Sequence, residues 1–411
     1  MNAPEDRDPT LEDVREARER IAGHVVHTPC PSSPFFGDTL PFSLWLKLEN
    51  LQRTGSFKDR GSLNRLLLLT EEERRRGVVT ASAGNHAQAV AWHAQRLGIP
   101  ATVVMPETAP LIKVSNTAGF GARVLQTGTV LDDAAVEASL LVEREGLVLV
   151  HAFDDPRVVA GQGTMGLEIA EQVPDVDVVV VPVGGGGMIS GIALALKTLR
   201  PGVRVVGVEA AAAASARASR DAGHIVKIAT AETIADGIAT KRVGELTFRL
   251  MERWVDDLVT VDEEEIASAV LLLLERQKTV AEGAGAAGLA ALLAGRVAVG
   301  RGERCVAVLS GGNIDVNIVA RIIDRGLVAD GRLARLVVKV PDRPGSLALL
   351  TGALAGLGAN VLETHHQRAF ADISVADVRI VVHVETRGRG HVDEIVAGLE
   401  ARGLVVREDR A

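Results

Sequence analysis

Residues 178–196, VVVVPVGGGGMISGIALAL, carry no charged side chain. A stretch this apolar and this long either crosses a bilayer or lies inside a folded core. Pro182 and four consecutive glycines, Gly184–Gly187, interrupt it near its middle. A spanning helix needs unbroken backbone hydrogen bonding there. The stretch therefore predicts a buried strand, a glycine loop and a buried helix. A strand that is apolar on both faces belongs in a sheet covered on both sides, the usual setting of a parallel sheet.

The same alternation recurs for most of the chain. GVVTAS, ATVVMP, ARVLQ, LVLVHAF, RVVGVEA and CVAVLSGG read as strands, and SLWLKLEN reads as another. Amphipathic runs such as NHAQAVAWHAQRLG separate them, and SLNRLLLLTEEERRR reads as one helix ending in a solvated charge run. Ligands of such α/β sheets bind at the carboxyl ends of the strands, where loops open into helices. Near GLVADGRL the composition shifts, and the remaining residues read βαββαβ, the ferredoxin-like order. The predicted organisation is a catalytic domain of two α/β subdomains over 1–326, a linker over 327–332 and a small domain over 333–411.

Composition closes several other routes. The net charge of −8 in 411 residues argues against nucleic acid or an anionic membrane as partner. Aromatics are 3% and tyrosine is absent, which removes stacking platforms for bases and Tyr as an acid or base. The two cysteines, Cys30 and Cys305, are far apart and have no metal or redox spacing. The start is acidic and polar, without the apolar core of a secretory leader. Together these features predict a reducing, cytoplasmic setting.

Three strand-to-helix loops carry the chemistry. Without Cβ atoms, Gly184–Gly187 let backbone N–H groups converge on an anion at a helix start, which suits a phosphate monoester. A tight turn alone would need only one or two glycines. In TASAGNHAQ, Ser82, Gly84 and Asn85 offer donors suited to a carboxylate, with plain helix capping by Ser82 or Asn85 as the simpler alternative. In SGGN, Ser310 is suited to a neutral ring nitrogen. Ahead of these, TGSFKDRG places Lys58 at the entrance of a half-buried helix, where its charge is costly unless it snorkels or reacts. An amine for imine formation, a phosphate cup, a ring partner and a carboxylate site are what pyridoxal phosphate needs.

SFKDRG, SAGNHAQ, GGGGMISG and SGGN, in this order, resemble the fold type II pyridoxal-phosphate enzymes, a fold like that of the tryptophan synthase β chain. Within them the sequence most resembles the threonine ammonia-lyase (threonine dehydratase) group. VPDRPGSLALLTGALAGLGANV is similar to the start of an ACT regulatory domain, so the resemblance covers the whole chain. It implies that Lys58 carries the cofactor covalently, with Phe57 against the ring and Asn85 on its phenolic oxygen. It further implies that Gly184, Gly185, Gly186, Gly187 and the Met188 amide hold the phosphate, that Gly237 lies against the other ring face and that Ser310 meets the ring nitrogen. Ser82, Ala83, Gly84, Asn85 and His86 would bind the substrate, His86 through the carboxylate or the loop rather than as a proton carrier.

The implied reaction is α,β-elimination of water from L-threonine, and from L-serine, giving 2-oxobutanoate or pyruvate and ammonia. A dehydratase of hydroxyaspartate or phenylserine, a serine racemase-like enzyme, and a non-catalytic amino-acid sensor are the alternatives. Ala83 stands where racemase relatives place a serine. Those relatives also hold a divalent cation between two acids. Here Glu209 is present but Ser215 replaces the second acid, so a monovalent cation, or none, suits Glu209 better than a divalent one. The resemblance also implies a homodimer or homotetramer and a branched-chain amino-acid effector on the small domain. His365 and His366 have no metal spacing and read as surface.

Overall fold

The computed structural model describes residues 7–37, 39–368 and 374–409. Its strands are β1 (Ser43–Leu48), β2 (Val78–Ala81), β3 (Ala101–Met105), β4 (Arg123–Gln126), β5 (Val148–Leu149), β6 (Val178–Pro182), β7 (Arg204–Ala210), β8 (Asp257–Val261), β9 (Arg304–Leu309), β10 (Leu333–Pro341), β11 (Asn360–Gln367), β12 (Asp377–Glu385) and β13 (Val405–Glu408). The chain divides into two units, Met1–Asp315 and Val316–Ala411.

The first unit holds two sheets, β4-β3-β2-β5 and β1-β9-β6-β7-β8, with every pairing parallel. The apolar run 178–196 forms β6, the glycine loop and most of the helix Gly187–Leu199, buried as expected except at half-buried Gly184. Val179 and Val181 pack with Ile189, Ile192 and Leu196 of that helix in one core. Among the described residues no helix is long and apolar enough to cross a membrane.

Two local expectations change. LVLVHAF supplies only the two-residue β5, because the chain then leaves the sheet to form a cavity wall. SLNRLLLLTEEERRR is two helices, Lys58–Leu67 and Glu71–Arg76. Thr70 accepts the N–H of Glu73, and the Glu73 carboxylate accepts the N–H of Thr70. This reciprocal cap starts a new helix inside the expected one.

Beneath the Lys58 helix lies a buried ion cluster. The guanidinium of Arg60 donates from Nε and Nη2 to the two oxygens of Glu49, both at 2.8 Å, and from Nη1 and Nη2 to those of Glu168 at 2.6 and 2.9 Å. Lys47 adds its ammonium to Glu168, Gln172 and the carbonyl of Thr28. All four charged groups are buried. Burial alone would raise the Glu49 carboxyl, yet Arg60 holds it below its ordinary range. The cluster fastens the Lys58 helix to β1 and to the helix Pro156–Gln172.

The second unit is an antiparallel sheet, β11-β12-β10-β13, with helices Ser346–Gly356 and Arg389–Glu400 in the predicted βαββαβ order. Leu336, Val338, Ile380 and Val382 pack with Leu350 and Ile395. This is the ACT-like fold. The stretch expected as a linker, 327–332, begins inside the helix Val316–Ala329, which opens this unit ahead of residue 333. His365 and His366 are exposed on β11.

Replacing Arg60 with Met leaves two buried carboxylates facing one ammonium. Denaturant unfolding is expected to show a loss of about 3–5 kcal/mol; an unchanged midpoint would show that the cluster does not hold the helix.

Candidate active site

The loops at the carboxyl ends of β2, β6 and β9 meet the start of the Lys58 helix around a cavity of about 270 Å³. Lys58, Asn85, the glycine loop, Gly237 and Ser310 line it together with Ser82–Gly84, Phe57, His86 and Met188. Residues spread over most of the first unit's length are thus brought into one wall. A larger cavity, about 650 Å³, adjoins it and shares Ala152, Phe153 and Thr240.

Lys58 is placed by the loop before it. Asp59, itself buried, accepts from the Thr54 N–H at 3.1 Å and its hydroxyl at 2.6 Å, and from His93 Nε2 at 3.2 Å. The Phe57 N–H donates to the carbonyl of Ser310 at 3.0 Å, which ties this loop to SGGN. Lys58 Nζ donates to the carbonyl of Ala152 at 2.8 Å. Burial pushes the amine down to about 8, with the Glu282 charge opposing the shift.

The glycine loop leaves β6 and enters the helix Gly187–Leu199. Gly186 has φ +91°, a left-handed conformation that disfavours other residues. A Cβ on Gly185 would fall 2.3 Å from the ring of Phe153. Thr247 Oγ donates to the Gly185 carbonyl at 2.6 Å, which satisfies that carbonyl. The first-turn N–H groups of the helix have no acceptor within it.

Asn85 does not cap its helix, and no side chain does. Asn313 Nδ2 donates both to the carbonyl of Thr54 at 2.7 Å and to Asn85 Oδ1 at 2.8 Å. With both Asn313 protons committed, Asn85 must present oxygen to it and nitrogen to Glu282, where it donates at 2.7 Å. One N–H of Asn85 is left for the cavity it lines. Burial, then the charge of Asp236, raises the Glu282 carboxyl to about 7.

Glu282 and Asn313 were not singled out by sequence. The signals present were a lone acid in the small-residue run AEGAGAAG and the last residue of SGGN. Lys113 and Asp236, which form an ion pair, also line the cavity.

Two candidate residues are engaged by the protein itself. The His86 ring is saturated: Nε2 lies 2.9 Å from the carbonyl of Val150 and Nδ1 3.3 Å from Ser62 Oγ. Burial first, and the Lys58 charge second, push it down to about 3, so the ring is neutral, with both nitrogens engaged inside the protein. Glu209 is away from the cavity lining, and its two oxygens accept the N–H groups of Ala216 and Arg217 at 2.7 and 2.8 Å. It caps the helix Ser215–Ala222. No cluster of three metal-ligating side chains occurs among the described residues. Gly237 lines the cavity as expected, but a Cβ there would first meet Ala284 at 2.9 Å.

The residues fit a phosphorylated pyridine aldehyde: a depressed amine, amide donors at a glycine loop and a buried hydroxyl at Ser310. Comparison with known proteins agrees. A model of the family described as "Pyridoxal-phosphate dependent enzyme" matches residues 21–311. The L-threonine ammonia-lyase of Thermotoga maritima is 49% identical over 97% of this chain and 99% of its own. The solved structure of maize serine racemase superposes with a TM-score of 0.74 at 35% identity, over 79% of this chain and 99% of the other. Processed threonine deaminase isoform 2 of Solanum lycopersicum superposes with a TM-score of 0.72 at 34% identity, over 78% and 91%.

An amine titrating near 8 is about a tenth neutral at pH 7 and mostly neutral at pH 9. The rate at which protein stripped of aldehyde combines with added pyridoxal phosphate, followed by absorbance, is therefore expected to rise about tenfold per pH unit below 8 and to level off above it. A rise that continues unbroken to pH 10 contradicts the depressed amine.

Proposed function

The chain belongs to the pyridoxal-phosphate-dependent enzyme family, and on that premise we propose that it is an L-threonine ammonia-lyase, acting also on L-serine. The observation that supports this best is the convergence of Lys58, the Gly184–Gly187 loop, Asn85 and Ser310 on one cavity. Relatives that share nearly the full length and almost half the residues act, by name, on L-threonine. Net, L-threonine gives 2-oxobutanoate and ammonia, the water eliminated being returned on hydrolysis.

Each residue's role follows from its chemistry. When bound, pyridoxal phosphate supplies an electron sink that acidifies the α-carbon of the amino acid. The N–H groups of the glycine loop and Met188 would hold its phosphate, with the helix N-terminus adding favourable field. Asn85, fixed by Glu282 and Asn313, would present its remaining N–H to the phenolic oxygen. Ser310 would donate to the ring nitrogen, leaving it largely unprotonated. The substrate carboxylate would take Ser82 and the N–H groups at the start of the Asn85 helix. Lys58, whose amine is held down to about 8 by burial, would accept the α-proton in its neutral form. Ala83 beside that helix start has no proton to return to the opposite face of the substrate, which favours elimination over racemisation.

A panel of β-hydroxy amino acids tests the reading: the purified enzyme is expected to release 2-oxobutanoate from threonine fastest, and ammonia and pyruvate from serine with little D-serine. Lys58→Ala is expected to lower turnover by at least a thousandfold without altering the melting temperature, because the amine acts as proton acceptor. A dominant D-serine product, or a faster rate on phenylserine or hydroxyaspartate, would replace this assignment.

The ACT-like unit would bind a branched-chain amino acid. Gly345, at φ +93°, turns the chain into the helix Ser346–Gly356, and Ser346 Oγ donates to the Pro341 carbonyl. The N–H groups exposed there are suited to an amino-acid carboxylate. Isoleucine or valine is expected to shift the threonine concentration at half-maximal rate of the intact enzyme. Rate curves indifferent to both, with neither bound in equilibrium dialysis, would leave the unit as a subunit contact only.

A further inference from the structure

Gln162 lies in the helix Pro156–Gln172, is 1% exposed and lines the cavity that holds Lys58 and Asn85. Neither its Nε2 nor its Oε1 has a hydrogen-bond partner in the protein. A buried amide with both ends unpaired lowers stability, and native proteins rarely retain one without a ligand or water to satisfy it.

The surrounding backbone is shaped to admit it. A Cβ on Gly61 would fall 2.4 Å from Gln162 Nε2 and 2.9 Å from its Cδ. Residue 61 thus lacks a side chain where the amide occupies that space. Gly161 does the reciprocal, since a Cβ there would lie 2.7 Å from the Cα of Gly61. Two glycines let the helices approach, which delivers the amide beside the first turn of the Lys58 helix. The next residue, Ser62, bonds the ring of His86, so this wall adjoins the start of the Asn85 helix.

We propose that Gln162 is a substrate-binding residue whose Nε2–H donates to the α-carboxylate of the amino acid, alongside the N–H groups that begin the Asn85 helix. The glycine loop stands on the Phe153 side of the cavity and is served by its own helix N-terminus, so the cofactor phosphate has no need of this amide. A carboxylate is the group that these converging donors lack. The proposal rests on the reading of the enzyme as an amino-acid lyase, and that reading is checked separately by wild-type turnover of threonine.

The test uses holoenzyme carrying Gln162→Leu and Gln162→Glu. Leu keeps much of the shape and removes the two unpaired groups, so its melting temperature is expected to equal or exceed that of wild type. The KM for threonine is expected to rise about 10- to 100-fold with kcat changed less than about threefold, as for a lost hydrogen bond to a charged group. The inhibition constant of L-2-aminobutyrate, which keeps the carboxylate and lacks the hydroxyl, is expected to rise by the same factor. Gln162→Glu, which sets carboxylate against carboxylate, is expected to raise both further. Four results would each overturn the proposal: KM unchanged in Gln162→Leu, KM raised for threonine with 2-aminobutyrate unaffected, cofactor lost more readily on dialysis, or a melting temperature lowered by several degrees. If wild type itself fails to release 2-oxobutanoate, it is the lyase reading that falls.

Discussion

Arg60 sits two residues from the lysine that the chemistry needs, and it is among the largest wholly buried side chains of the protein. Two glutamates share its planar fork, and Lys47 balances the charge of the second. Such a cluster is poor value as stabilisation, because an apolar replacement of equal volume often does as well. What it gives is direction. A guanidinium bonded on both edges accepts only one placement, so the helix that begins at Lys58 has one rotation and one height relative to β1 and the helix Pro156–Gln172. The amine of Lys58, the amide of Gln162 and the Gly61–Gly161 contact all depend on that placement.

The other side of the cavity is set by side-chain hydrogen bonds with no freedom of sense. Thr54 and Asn85 absorb both protons of Asn313, which fixes the Asn85 amide, and Glu282 takes the proton that Asn85 then offers. A residue with two equivalent orientations thereby becomes a donor of known direction. Glu282 is the group in this chain whose charge opposes the depression of the Lys58 amine, while its own carboxyl is raised by burial to about 7. Protonation at Glu282 and the readiness of Lys58 are coupled through the low dielectric of the cavity.

Much of the site was legible in sequence, for a physical reason. Glycine runs, an amine at a helix entrance and small polar residues after a strand are local devices: they work through backbone geometry, and a few consecutive residues display them. Gly184–Gly187, Lys58, Asn85 and Ser310 were found this way. Residues that act at a distance were not. Glu282 reads as a stray acid, Gln162 as one polar position on a helix, and Lys47 as the outward residue of an alternating strand, although it is entirely buried. His86 shows the converse: its place in a motif suggested a contact with the carboxylate or the loop, and only the tertiary structure gives its ring the partners Val150 and Ser62.

By itself, the order of residues determined the layered parallel α/β unit, the glycine loop at the end of β6 and the βαββαβ unit that follows in the chain. Those features follow from which positions must avoid water and which backbone angles glycine alone adopts easily, and both are properties of neighbouring residues. Tertiary structure alone decided which polar groups are consumed and which remain available. Glu209 is spent on the amides of Ala216 and Arg217, His86 on a carbonyl and a hydroxyl, and Arg60 on two carboxylates, while the amide of Gln162 and one N–H of Asn85 are left facing the cavity. A hydrogen-bond donor cannot be counted as available until every acceptor within 3 Å or so of it is known, and those acceptors lie on strands and helices far away in the chain.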